Sequence, residues 1–211
     1  DEGVGDENDG VDKVYGGKGK DNINRASGEV RGILLIFGEA DDDTIRTGGE
    51  NQRGKMYGGT GDDFISTCCD ANYDVWGGSG NDRIDGSREC SINRAFGESG
   101  NDRIAAIAFA SGGSGNDIIG FADCGGVAYG DSGNDELRGG DSSNFLELHG
   151  GSGDDLLAAT DGEDDLFGDD GDDTLTGGIN ADSFSCGAGT DTITDFNAAE
   201  GDTKTADCEN F

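Results

Sequence analysis

Residues 168–194 read GDDGDDTLT, GGINADSFS and CGAGTDTIT, three nine-residue units placed end to end. Each has glycine, aspartate, asparagine or another small residue in its first four positions, Ile179 excepted. Each then has an aspartate at the sixth position and an apolar residue at the eighth. One such unit has too little apolar surface to offset the entropy of ordering it. A fixed short period changes that reading, because stacked repeats bury a shared core that none of them holds alone.

Working outward, variants of GGxGxD begin at Gly16, Gly38, Gly58, Gly77, Gly97, Gly112, Gly130, Gly150 and Gly168. Their sixth positions are Asp21, Asp43, Asp63, Asp82, Asp102, Asp117, Asp135, Asp155 and Asp173, and the last nonad adds Asp191. Two residues after each of the nine lies Ile or Leu, from Ile23 to Leu175. Successive aspartates are 15 to 22 residues apart, which is two nonads with every second one degraded. The degraded half keeps an apolar or small residue two positions before each glycine, as at Val14, Ile36 and Met56. Its next residue is mostly aromatic: Tyr15, Phe37, Tyr57, Trp76, Phe96, Tyr129 and Phe167, with Ser111 and His149 in the same column.

The spacing predicts an all-β fold, a right-handed parallel β-roll or β-solenoid of about ten coils with two short strands per coil. The aliphatic column points inward and the glycine-rich half turns the corner, where positive φ is needed. The boundaries expected are an acidic N-terminal segment that forms a partial first coil at 1–15, the repeats at 16–195 and a C-terminal tail tied by a disulfide at 196–211. Strand side chains alternate, so the aromatic column points outward. There it offers a contact surface for another rod, a polysaccharide or ice.

Composition narrows the function classes. The chain has 211 residues, 42 Gly, no Pro, 32% hydrophobic residues and a net charge of −32. That charge repels nucleic acid and favours cations. No run approaches the roughly 18 apolar residues of a membrane-spanning helix, so no membrane insertion is expected. One histidine and no HExxH leave no recognisable catalytic arrangement, and no enzyme is expected. Six cysteines without a CxxC spacing favour disulfides and an oxidising, extracellular or cell-surface setting over a zinc site. Cys69 and Cys90 are 21 apart and Cys186 and Cys208 are 22 apart, about one coil each. Cys68 and Cys124 stay unassigned; they pair with each other, differently, or between molecules.

The nonads resemble the hemolysin-type (RTX) calcium-binding repeats, from about Gly16 to Asp195. The resemblance implies that turn aspartates and backbone carbonyls of stacked turns enclose multiple Ca²⁺ ions, a hard cation taking six to eight oxygens. It carries over onto the ten aspartates named above. Asp12, Asp164 and Asp182 hold the same position on the opposite edge, where Tyr73, Asn93 and Gly126 replace it elsewhere. Ten ions would bring −32 to about −12. An expanded calcium-free chain and a folded calcium-bound rod follow, with affinity in or somewhat below the millimolar range. DTITDFNAAEGDTKTADCENF resembles the DxIxDFxxxxGD segment that closes the roll of secreted metalloproteases, but departs at TKTADCENF. No cap is evident at either end. The function expected is a secreted calcium-binding structural protein that self-associates head-to-tail or laterally, as a filament or surface matrix. The alternatives are a monomeric binding or adhesin module for carbohydrate or ice, and the repeat domain of a larger secreted protein.

Overall fold

The computed structural model describes residues 10–25, 32–48, 53–68, 72–86, 92–105, 108–121, 125–140 and 144–210. They form a parallel solenoid with two strands per coil and no helix among the described residues. In chain order the strands are β1 (Val11–Lys18), β2 (Asn22–Arg25), β3 (Ile33–Ala40), β4 (Thr44–Gly48), β5 (Arg53–Thr60), β6 (Phe64–Cys68), β7 (Asn72–Ser79), β8 (Arg83–Asp85), β9 (Ile92–Ser99) and β10 (Arg103–Ala105). There follow β11 (Phe109–Ser114), β12 (Ile118–Gly120), β13 (Gly126–Ser132), β14 (Glu136–Arg138), β15 (Leu146–Ser152), β16 (Leu156–Ala158), β17 (Asp165–Asp170), β18 (Thr174–Thr176), β19 (Ser183–Ala188), β20 (Thr192–Ile193) and β21 (Thr203–Lys204). The odd strands make one sheet of eleven and the even strands one of ten, each in sequence order.

Register follows the nonads. Ile45, Ile65, Ile84, Ile104 and Ile119 face inward along the even sheet, opposite Ile36, Met56, Val75, Ala95 and Ala110 of the odd sheet. The odd column shrinks to alanine at Ala95, Ala110 and Ala128. Phe121 is buried beside Gly126, where an added Cβ would sit on its ring. Further apolar plugs come from the edge opposite the aspartate column. Leu34, Tyr73, Ile92 and Leu146 are all buried there. The register expected at Asn93 is taken by Ile92 instead, because a bulge between Tyr73 and Asp74 sets Tyr73 against Ile92 and Asp74 against Arg94.

The aromatic column forms a ladder. Tyr15, Phe37, Tyr57, Trp76 and Phe96 stack in sequence with centroids 4.7–5.4 Å apart and nearly parallel planes. His149 is a stacking member, 4.5 Å from Tyr129 and 4.4 Å from Phe167. Where Ser111 interrupts the column, Phe109 leans in at a tilt, 5.8 Å from both Phe96 and Tyr129. The π-faces are thus spent on one another, and the ladder shows mainly ring edges to solvent. Tyr15, at the end of the stack, is exposed.

The C-terminal end is capped, contrary to the expectation of open coil ends. β21 pairs with β19, and Asn210 bridges to Thr192 of β20, so the tail covers both sheets. Phe184 O accepts the Thr205 N–H at 2.9 Å, and Asn210 O accepts the Ile193 N–H at 2.8 Å. The Cys186–Cys208 disulfide, expected from the spacing, holds the tail down. Closing a loop of that length stabilises by about 3 kcal/mol in the chain-entropy account. Cys69, Cys90 and Cys124, and the side chain of Cys68, lie outside the described residues.

Candidate metal centre

Each coil ends on the same short turn. Gly80 illustrates its demands: φ is +129°, and a Cβ would run into the carbonyl of Gly61 in the coil before. Only glycine meets both conditions without strain. The turn delivers its aspartate inward. Asp43, Asp63, Asp82, Asp102, Asp117, Asp135, Asp155, Asp173 and Asp191 are all almost wholly buried, and Asp21 is partly so.

Their two oxygens have different environments. Oδ1 of the nine from Asp43 onward accepts the backbone N–H of the aspartate one coil earlier, from Asp21 N–H to Asp43 at 2.8 Å through Asp173 N–H to Asp191 at 2.9 Å. Between these the distances are 2.7–2.8 Å. Oδ2 of all ten is buried and has no hydrogen-bond partner. It fills the slot beside the nonad's first glycine, where a Cβ on Gly97 or Gly130 would overlap the carboxylate of its own coil and the glycine carbonyl of the next. Burial therefore pushes these groups up, Asp63, Asp102 and Asp173 to about 6 and Asp82, Asp117 and Asp155 to about 7.

A column of buried, half-satisfied carboxylates at coil spacing is untenable as a row of bare charges. A cation is the compensation the donor set fits. Among the described residues no three His, Cys, Asp or Glu side chains converge on one metal position. Each turn instead offers one carboxylate and a run of main-chain carbonyls, a set that suits calcium and not zinc or copper.

The opposite edge behaves alike only near the C-terminus. Asp164 and Asp182 are buried, with Oδ1 accepting the N–H of Leu146 at 2.8 Å and of Asp164 at 3.0 Å. Asp202 continues this row by accepting the Asp182 N–H at 3.1 Å, a member that the sequence reading missed. Its signal is the Gly-Asp pair at 201–202. Asp12 holds the corresponding register position on β1, but its carboxylate is half-exposed and is not joined to the buried pair. Its register partner is Leu34, and its carboxylate lies 3.9 Å from Arg25. Glu209 caps the main column by accepting the Asp191 N–H at 3.2 Å, and Asp195 accepts those of Gly177 and Gly178.

A second column, also missed, runs outside the first. Asp42, Asp62, Asn81, Asn101, Asn116, Asn134, Asp154 and Asp172 occupy the fifth position of their nonads. Here the oxygen of one coil accepts the N–H of the coil after it, as from Asp62 to Asp42 at 3.0 Å and Asn116 to Asn101 at 2.7 Å. The two columns thus tie neighbouring turns in opposite senses.

No curated protein and no solved structure matches the chain. The family model for the RTX calcium-binding nonapeptide repeat (four copies) matches residues 8–29, 35–51, 55–67, 74–88, 129–164, 149–184 and 158–193, more than half of the sequence. The aspartate column runs unbroken through the unmatched stretch, by way of Asp102 and Asp117. With that match added to the stacked turns and the buried carboxylates, the chain belongs to the RTX calcium-binding nonapeptide repeat family.

Proposed function

We propose that the chain is an extracellular structural rod that calcium folds. The observation that carries the reading is the column of buried aspartate Oδ2 atoms without a partner. The bound ion supplies the positive charge those atoms need, and the chain's own turns supply its oxygens. The Cys186–Cys208 disulfide and the weak affinity expected of such sites both suit an oxidising, calcium-rich exterior. Far-ultraviolet circular dichroism of the full chain tests it. The expected result is a β signal in millimolar calcium that is lost on chelation and returns when calcium is restored. An unchanged signal after complete chelation overturns the reading.

Self-association is its second element. Val11, Tyr15 and Ile33 are exposed on the first two odd strands, and among the described residues no strand covers the outer edge of β1. The tail closes the other end. Two rods paired edge to edge through β1 make a self-complementary contact, which is closed by symmetry and does not propagate. Sedimentation velocity in calcium is expected to give a dimer. Open-ended filaments, or monomers at every concentration, reject this element.

A further inference from the structure

Charge is sorted in this fold. The nonad carboxylates sit on the turns, and Lys204 is the one lysine or arginine beyond Arg138. The outward face of the even sheet is defined by the residues flanking its buried Ile and Leu column. Along it stand Arg46 on β4, Arg83 on β8, Arg103 on β10 and Arg138 on β14, all exposed. Among the described residues only two carboxylates share the face, and each is held by an arginine of its own strand. Asp85 accepts from Arg83 Nε and Nη2 at 2.9 and 2.7 Å, and Glu136 pairs with Arg138. Among the described residues Arg46 and Arg103 have no carboxylate partner.

The row is ordered. Phe64, on the strand between, has the Arg46 guanidinium 5.0 Å and the Arg83 guanidinium 5.7 Å from its ring centroid. Such contacts hold the two guanidinium groups beside the ring. Arg83 and Arg103 are direct register partners on adjacent strands. Like charges so placed are destabilising, and in a protein with 46 acidic residues they have no need to face each other. Asp85 offsets Arg83 alone, and an anion laid across the pair offsets Arg103 as well.

We propose that the outward face of the even sheet, along Arg46, Arg83, Arg103 and Arg138, is a docking strip for a linear sulfated polysaccharide. The strip crosses strands along the solenoid axis and spans about 24 Å at the usual strand spacing. That shape matches an extended polymer with repeating charges and not a small anion. Guanidinium forks suit oxyanions. Sulfate esters bind calcium weakly and keep their charge in the calcium that folds the rod, whereas polyuronates are neutralised by it. A second copy of the chain fits less well, since its central turns present the amides of Asn81, Asn101, Asn116 and Asn134. The inference rests on the calcium-folded state proposed above, so folding and binding are read separately.

The test is binding of the full, calcium-loaded chain to immobilised dextran sulfate, with neutral dextran as control and circular dichroism on the same samples. Wild type is expected to bind dextran sulfate, to ignore dextran and to release steeply with salt. Arg46→Ser with Arg103→Ser is expected to weaken binding about tenfold or more. Lys13→Ser with Lys55→Ser, on the other sheet, is expected to stay within about twofold. If the arginine pair fails to fold, each single variant is read instead. Equal losses in both pairs, or unchanged binding in the arginine variants, overturn the strip. So does a solution dimer that the arginine variants dissociate, which assigns the face to a second copy. A wild type that folds in calcium yet ignores dextran sulfate overturns the strip and leaves the calcium reading standing.

Discussion

Gly97→Ala is expected to raise the calcium concentration needed for folding by about tenfold or more, while Gly120→Ala leaves it nearly unchanged. Both substitutions add one methyl group and restrict the unfolded chain equally. They differ in what the methyl meets. At Gly97 it overlaps Asp102 Oδ2 and the carbonyl of Gly112, and at Gly120 it meets nothing within 4 Å. Neither residue has positive φ, so the contrast is steric and not conformational. Moving the Asp102 carboxylate also costs the 2.7 Å bond it accepts from Asp82 N–H and withdraws the oxygen offered to the ion. Gly97 lies mid-rod, and in a stack where each coil touches only its neighbours a central fault uncouples both halves. Calcium titration followed by circular dichroism reads the effect. Equal midpoints for the two variants would refute the slot beside the first glycine as the place where carboxylate and ion meet.

The main aspartate column was legible because a nine-residue period fixes side-chain direction and position together. Once Asp173, Asp182 and Asp191 are aligned, the direction of Asp117 follows although its neighbour Asp102 is only 15 residues away. The opposite edge was legible only where the period survives, at Asp164 and Asp182. At Tyr73 and Leu146 apolar plugs replace the turn chemistry, and a single bulge shifts the partner from Asn93 to Ile92. Repeat counting has no means of placing such a shift. The cap was not legible for a related reason. Glu209 and Asp195 act on N–H groups 18 residues away, and among the described residues neither contact recurs to reveal a pattern. Phe109 reaches the ladder by tilting out of register, which sequence alignment reads as a gap at Ser111.

Acid is expected to do, without calcium, part of what calcium does at neutral pH. In the folded, metal-free chain burial holds Asp63, Asp102, Asp173 and Asp182 at about 6 and Asp82, Asp117 and Asp155 at about 7. Unfolded, the same groups titrate near 3.8. Between roughly pH 4 and 7 the folded state therefore binds more protons, and its stability falls as pH rises. The contribution is complete below the unfolded value and lost as pH passes through 6 to 7. Calcium has the opposite dependence, since it requires the ionised carboxylate and competes with the proton. In chelator the β signal is expected to be low at pH 7.5 and to grow on acidification, with a midpoint near 6. Over the same range the calcium needed for folding rises. General relief of the −32 charge is a separate effect and acts near pH 4, where exposed carboxylates titrate. The midpoint discriminates between the two. A transition confined to pH 4, or a β signal that grows with rising pH, would show that the buried aspartate column does not control the metal-free fold.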